Sequence, residues 1–246
     1  MMTTDAFVQD LRVYLKREDE KPLLGPSFYR GILDGELTRE QLKKWVLNLF
    51  YVTGQHIRAF GGIFLNTGLG PLDQKIRRHI VENLIDEETV MGRGDDAHWM
   101  LSMRLAKALG ATDEEILHPV VAKEAVDYVN WVIELGRKEY GLVTLAAMSL
   151  GGETRSDSSM RGFVKALREK YGLSKEDLGF FYAHMGEAEA HGEPVFEMVW
   201  EYATTEERQQ KIRDNIKTWC KKFSAAQEGG YRVAMGLEPG VQVHLS

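Results

Sequence analysis

The sequence contains very little cysteine and proline. Cys220 is the only cysteine among 246 residues, so the chain cannot form an internal disulfide and an oxidising compartment is not indicated. The six prolines fall mostly where helices are expected to break. Alternating strand patterns and Asn-Gly hairpin signals are missing from the sequence. These absences favour an all-α fold.

An excess of positive charge and long apolar runs are absent as well. Lys and Arg number 31 against 37 Asp and Glu, and the net charge of −6 does not favour nucleic acid as a partner. No apolar run approaches the ~20 residues of a membrane-spanning helix. Residues 1–7 lack the basic-then-apolar pattern of a signal peptide. We therefore expect a soluble, cytoplasmic protein with no membrane partner.

Helical periodicity extends over most of the chain. Capping boxes are predicted at Thr38 and Thr112, Ser174 is predicted to cap a late helix with Asp177 at its third position, and Asp95 or Asp96 is predicted to cap a middle helix. Residues 1–246 are predicted to form a single domain, in which residues 230–246 lack periodicity and allow a flexible tail. The longer predicted helices cover about residues 5–17, 38–66, 71–89, 95–110, 119–154 with a kink near 141, 174–191 and beyond, and 205–229.

Two of the seven histidines, His184 and His191, lie seven residues apart. At about 100° per residue, seven steps nearly complete two turns, so one continuous helix would place both on the same face. Glu187 would lie between them, whereas Glu189 would point away. Imidazole and carboxylate ligands on one stripe suit a transition metal. A surface face with scattered polar residues would give the same pattern.

Other candidate ligands occur in three further segments. Glu87 follows an apolar stretch near the end of a predicted helix, His98 begins the next helix, and Glu153 follows a pair of glycines. Asp95 precedes His98 by three residues and could share its face. Each segment also has an ordinary structural interpretation as a charged helix end or a packing residue. These residues therefore indicate a site only when they are considered together.

The order of these residues resembles the heme-oxygenase-like diiron oxidases and oxygenases, which belong to the larger group of TenA and PqqC proteins. The likeness covers about residues 35–202. It implies an all-α, heme-oxygenase-like bundle of about seven to eight helices. The residues that carry the resemblance are Asn83, Glu87, His98, Glu153, His184 and His191.

The resemblance also implies an iron site with two Fe(II) ions per chain, held by three histidines and three carboxylates. One family carboxylate, four residues after the first histidine of the late helix, is replaced here by Ala188. Glu187 is the candidate substitute, and without it a one-iron or empty site would follow. Glu88 and Asp95 remain rivals of Glu87. The implied metal ligands are Glu87, His98, Glu153, His184, Glu187 and His191.

The leading hypothesis is an iron-dependent oxidoreductase that uses O₂ on a small amino-acid-like or fatty-acid-like substrate. A PqqC-like oxidase without metal, which Ala188 favours, and a non-catalytic ligand-binding protein on the same fold remain alternatives. Thiamin hydrolysis is disfavoured because the TenA branch uses a mid-chain cysteine, and heme is disfavoured because no histidine precedes His56. Relatives are often dimers, so a homodimer is expected. Candidate substrate contacts are Tyr51, His56, Arg155 and Tyr182.

Overall fold

The computed structural model describes residues 2–91, 96–152, 157–185 and 187–245, with only the backbone described for 157–159 and 187–191. Helices account for nearly all regular structure in these ranges. The elements in chain order are α1 (Thr4–Asp19), α2 (Pro26–Asp34), α3 (Arg39–Gly54), α4 (His56–Leu65), α5 (Pro71–Glu88), α6 (His98–Ala108), α7 (Asp113–Leu117), β1 (Val120–Val121), α8 (Lys123–Lys138), α9 (Gly141–Gly151), α10 (Asp157–Tyr171), α11 (Gly179–His184), α12 (Glu187–Tyr202), α13 (Glu206–Ala234) and β2 (Val241–Gln242).

The all-α prediction is confirmed, but the helices are more numerous than the predicted seven to eight. The predicted helix over 38–66 is interrupted at Gln55, which ends α3, and α4 starts at His56. The predicted helix over 119–154 is not merely kinked near 141. It ends at Lys138 because Glu139 has extended backbone geometry, with ψ of 157°, and helix resumes at Gly141.

The predicted capping boxes open two helices. The Thr38 hydroxyl accepts from the backbone N–H of Gln41 at 3.2 Å, and the Gln41 side chain accepts from the Thr38 N–H at 2.8 Å. Thr112 and Glu115 repeat this exchange before α7. The predicted cap of α6 is wrong, since Ala97 precedes that helix without a side-chain cap.

Ser174 and Asp177 also exchange hydrogen bonds with each other's backbone N–H groups, at 2.8 and 3.1 Å. They close a turn rather than begin a helix, because α11 starts only at Gly179. The predicted continuous helix after Ser174 is therefore wrong. The capping signal identified a local turn correctly but not the element that follows it.

The C-terminal segment has more regular structure than the sequence predicts. Helix α13 continues to Ala234 because its buried stripe extends through Gly230. Strand β2 then pairs antiparallel with β1, with Val120 opposite Gln242. Residues 230–246 were expected to lack periodicity, and no strand was expected; the helix that reaches Ala234 and strand β2 correct both expectations. Strands of two residues are too short to produce an alternating pattern.

The core consists of two clusters of buried apolar side chains, in which α13 packs against α3, α8 and α9. In the first cluster the Trp219 and Phe223 rings stack with centroids 4.6 Å apart. In the second, Phe28 and Trp45 stack at 3.5 Å. Among the helices described, none combines the length and apolar character needed to cross a membrane.

Helices α4 and α8 approach each other closely at two glycines. A Cβ atom on Gly62 would lie 2.7 Å from the backbone carbonyl carbon of Gly136, and one on Gly136 would lie 2.9 Å from the backbone oxygen of Ala59. No side chain fits at those distances without moving backbone. Glycine therefore permits this crossing, which places His56 at the start of α4 beside Tyr128 of α8.

Candidate metal centre

A cavity of about 120 Å³ lies between the two apolar clusters. Its wall is mostly aliphatic and aromatic, and the polar side chains come chiefly from α4, α5, α6 and α11. The lining residues are Leu23, Leu24, Leu49, Thr53, His56, Phe60, Asn83, Asp86, Glu87, His98, Met148, Gly152, Met160, Phe180, Phe181, His184, Trp219 and Phe223.

Helix α5 contributes three polar residues to this cavity. Its buried face begins with Ile76 and Ile80, and helical periodicity carries the same face on to Asn83, Asp86 and Glu87. Asn83 and Asp86 are buried, whereas Glu87 is half-buried. The helix thus changes from an apolar to a polar inner face at the point where it meets the cavity.

Three potential metal ligands converge on one wall of the cavity. Glu87, His98 and His184 each offer a ligand atom, and these atoms all lie within 4.8 Å of one another. The Nδ1 atom of His98 is 3.3 Å from Oε1 of Glu87. The His98 and His184 ring centroids are 4.5 Å apart. Two imidazoles and a carboxylate form a donor set that suits Fe(II), so the residues fit an iron ion.

The imidazole of His184 is oriented by its own helix. Its Nδ1 lies 2.7 Å from the backbone oxygen of Phe180. A carbonyl oxygen can only accept, so Nδ1 donates, and the neutral ring carries its lone pair on Nε2. Metal-binding histidines commonly have their second nitrogen fixed in this way. The Phe180 ring packs beside the imidazole, with centroids 4.3 Å apart.

The electrostatic environment keeps Glu87 ionised. Burial by itself would raise the pKa of its carboxyl group, but the hydrogen bond with His98 and the attraction of the positive charge that His98 can carry outweigh it. The pKa of Glu87 therefore lies below its ordinary value. An ionised carboxylate is the form that binds a metal cation.

His56 is a third histidine on the cavity wall, but its chemistry differs. Its Nε2 lies 2.8 Å from the hydroxyl of Tyr128. Burial lowers the pKa of His56 to about 4, despite the opposing effect of nearby Glu87. The ring is therefore neutral near pH 7. Burial also raises the pKa of Tyr128 well above its usual value, so the phenol is neutral too.

The structure corrects the geometry predicted for the late helix. Helix α11 ends at His184, Met185 is extended, and α12 begins at Glu187. His184 and His191 therefore lie on different helices, and the argument from seven residues of continuous helix is wrong. The side chains of Glu187 and His191 lie outside the described residues, as do Glu153, Arg155 and Asp95 entirely.

The remaining predicted site residues separate into two groups. His56 lines the cavity, but Tyr51 and Tyr182 are not among its lining residues. Tyr182 instead lines a surface depression with Met185. Their predicted contact with substrate in this cavity is thus not supported by the geometry. Glu88, the rival of Glu87, is exposed and does not belong to the ligand cluster.

Several lining residues were missed by the sequence analysis. Asn83 was named only as part of the family resemblance, and Asp86 was not proposed as a site residue. Both share a helix face with Glu87, and this spacing could have identified them as lining residues. Trp219 and Phe223, four residues apart on α13, carry a similar signal. By contrast, Leu24 precedes α2 in a short non-helical segment whose sequence contains no sign of a site.

Comparison with known proteins finds related sequences. Residues 43–221 match the model of a family described as iron-containing redox enzymes. The chain is 26% identical over 225 residues to 4-aminobenzoate synthase of Nitrosomonas europaea, covering 89% of this chain and 88% of that protein. It is 25% identical over 199 residues to pyrroloquinoline-quinone synthase of Granulibacter bethesdensis, covering 78% and 73% of the two chains.

Solved structures show the same fold. A TenA homologue from Pseudomonas syringae superposes with a TM-score of 0.76 at 14% identity, covering 92% of this chain and 93% of the other. A heme-oxygenase-like domain from Shewanella denitrificans gives a TM-score of 0.69 at 14% identity, covering 96% and 95%. The predicted resemblance and the heme-oxygenase-like fold are confirmed.

Proposed function

The chain belongs to the family of iron-containing redox enzymes, and we propose that it is a non-heme iron oxidoreductase that uses O₂ on a small metabolite. The observation that carries the proposal is the convergence of Glu87, His98 and His184 within 4.8 Å on the wall of an apolar cavity. A transition-metal donor set beside a largely apolar pocket suits oxidation chemistry.

Each of the three residues has a defined part in this proposal. Glu87 supplies an anionic oxygen, and His98 and His184 supply imidazole nitrogens. Bound iron would supply the ability to exchange electrons with O₂. The hydrogen bond from His184 to Phe180 holds the imidazole in position, so the ligand set needs little reorganisation when a metal binds.

The rest of the metal set is carried over from the family resemblance. We propose that Glu153, Glu187 and His191 complete a site for two Fe(II) ions, with Glu187 compensating for Ala188. Bridging carboxylates allow two irons to share one site in a helical bundle. Since α12 begins at Glu187, this residue and His191 belong to one helix, separate from His184.

The size and lining of the cavity support a proposal about the substrate. Its volume of about 120 Å³ is comparable to the ~150 Å³ cavity that holds one benzene molecule. The size favours a compact, amino-acid-like substrate with a ring or short apolar side chain over a long acyl chain. Phe180, Phe181 and Trp219 would pack on the apolar part and exclude water, while Asn83 and Thr53 would meet polar atoms.

A PqqC-like oxidase without metal is the second candidate function. Two observations favour it: Ala188 occupies a usual carboxylate position, and the relatives include pyrroloquinoline-quinone synthases. In that case His98 and His184 would transfer protons rather than bind iron. The measurement of bound iron distinguishes the two candidates.

The test is anaerobic loading with Fe(II), followed by gel filtration and iron analysis of matched variants. Glu87→Gln removes the anionic ligand without changing its size, whereas Glu88→Gln makes the same change at the adjacent, exposed position. We expect Glu87→Gln and His184→Ala to lose bound iron and Glu88→Gln to retain the wild-type amount. If Glu87→Gln and His184→Ala bind as much iron as the wild type, this metal centre is wrong.

A further inference from the structure

The C-terminal strand brings two histidines together outside the cavity. The Nδ1 atoms of His118 and His244 are 2.7 Å apart, although the residues are separated by 126 positions in sequence. The ring centroids are 4.6 Å apart and the rings are inclined at 67°. Neither residue lines the cavity described above. The pair is therefore independent of the proposed iron centre.

The backbone on both sides fixes this arrangement. His118 ends α7, immediately before Pro119 and β1, and His244 follows β2. The N–H of Val243 donates to the backbone oxygen of Pro119 at 3.1 Å, and that of Leu245 donates to Leu117 at 3.0 Å. His244 is thus held between two backbone hydrogen bonds at the level of His118. The pairing follows from the strand register rather than from side-chain rotamers alone.

A carboxylate lies on the far side of one ring. Oε1 of Glu114, one helical turn before His118, is 3.8 Å from Nε2 of that histidine. At 3.8 Å the contact is too long for a hydrogen bond, but it places the carboxylate beside Nε2 and leaves Nδ1 facing His244. Carboxylates near the second nitrogen of a histidine are common orienting partners at metal sites.

We propose that His118 and His244 form a second, surface metal site for a borderline cation such as Zn²⁺, Ni²⁺ or Cu²⁺. Such cations favour imidazole nitrogen. Water would complete the coordination, and Glu114 would orient His118. Because His244 belongs to the C-terminal segment and His118 to the body of the protein, the cation would fasten β2 against β1.

The distance between the two Nδ1 atoms is compatible with a shared cation. At metal–nitrogen distances of about 2.0–2.1 Å in tetrahedral geometry, two ligand nitrogens are about 3.3 Å apart. The nitrogens would therefore need to separate by roughly 0.6 Å from the 2.7 Å of the direct contact. His244 is exposed, so its ring can move that far by a small rotation of the side chain.

The test is calorimetric titration of the full-length, metal-free protein with Zn²⁺. The iron centre can also bind zinc, so the informative quantity is the difference in stoichiometry between the wild type and His244→Ala, which leaves that centre intact. Gln242→Ala is the matched control, because Gln242 lies on the exposed strand β2 beside this site and its side chain donates to the backbone oxygen of His118 rather than to either imidazole.

We expect His244→Ala to bind one equivalent of Zn²⁺ fewer than the wild type, and Gln242→Ala to bind as many. Zinc should also slow digestion by carboxypeptidase in the wild type and not in His244→Ala. Equal zinc stoichiometry in the wild type and His244→Ala would overturn the proposal and leave a simple hydrogen bond between two histidines. Glu114→Gln should weaken this site roughly tenfold, and unchanged affinity would remove Glu114 from it.

Discussion

His56 shows how one residue links the cavity to the stability of the fold. Its pKa of about 4 in the folded chain lies below the ~6.5 of an unfolded histidine. Between these values the unfolded chain binds a proton that the folded chain does not. The free energy of unfolding therefore falls as the pH falls from about 6.5 to about 4, by roughly 2 kcal/mol between pH 7 and pH 5.

We predict that His56→Gln removes this contribution. Urea denaturation of metal-free protein at pH 7 and pH 5 should show a smaller loss of stability in the variant than in the wild type, by roughly 2 kcal/mol. Identical losses in the two proteins would mean that His56 titrates in the folded state as it does in the unfolded chain.

The contact between Tyr128 and His56 should also contribute to stability. Tyr128→Phe keeps the buried ring, which packs 5.5 Å from Phe223, and removes the hydroxyl that contacts His56. Because the His56 nitrogen then loses its partner, we expect a loss of about 1–2 kcal/mol in the free energy of unfolding. Denaturation at pH 7 measures it, and a variant as stable as the wild type would contradict this account of the contact.

Helix α4 contains two adjacent glycines, one crowded by a neighbouring helix and one with open space around it. Gly62 faces the backbone of Gly136, whereas a Cβ on exposed Gly61 would meet nothing within 4 Å. We predict that Gly62→Ala destabilises the protein by about 1–3 kcal/mol through the clash with α8. Gly61→Ala should be neutral or stabilise by up to about 1 kcal/mol, because alanine favours helix. Similar thermal midpoints for the two variants would contradict the observed crossing.

Helix ends and strand pairing show which structural features the local sequence predicts and which it does not. The boxes at Thr38 and Thr112 depend on contacts three residues apart, and both were predicted correctly. The break after His184 was not predicted, because a methionine at position 185 is compatible with helix and does not require extended backbone. The pairing of β1 with β2 joins segments about 120 positions apart, and no local pattern specifies it.

The candidate site, like the helix ends, could be predicted only in part. Glu87, His98 and His184 were proposed as metal ligands from the family resemblance, and the structure brings them together although the continuous helix assumed for His184 was wrong. The cavity itself was not predictable, since its wall combines α3, α4, α5, α9, α13 and other elements whose packing only the folded chain defines. Residues such as Tyr128 acquire a role only through that packing.

For the whole molecule, a metal that binds only the folded state must stabilise it. At an Fe(II) concentration one hundred times the dissociation constant, the gain is about 2.7 kcal/mol. We therefore predict that anaerobic Fe(II) raises the melting temperature of the wild type. His98→Ala should show little increase, and an equal increase in both proteins would place the bound iron elsewhere.

The most direct test of the proposed function is O₂ consumption by the protein after anaerobic loading with Fe(II), with visible absorbance followed on mixing. The account predicts about two bound irons per chain, O₂ uptake that exceeds that of free Fe(II), and a transient visible band, all absent from Glu87→Gln. No iron above background in the wild type, or bound iron that does not react with O₂, would contradict it.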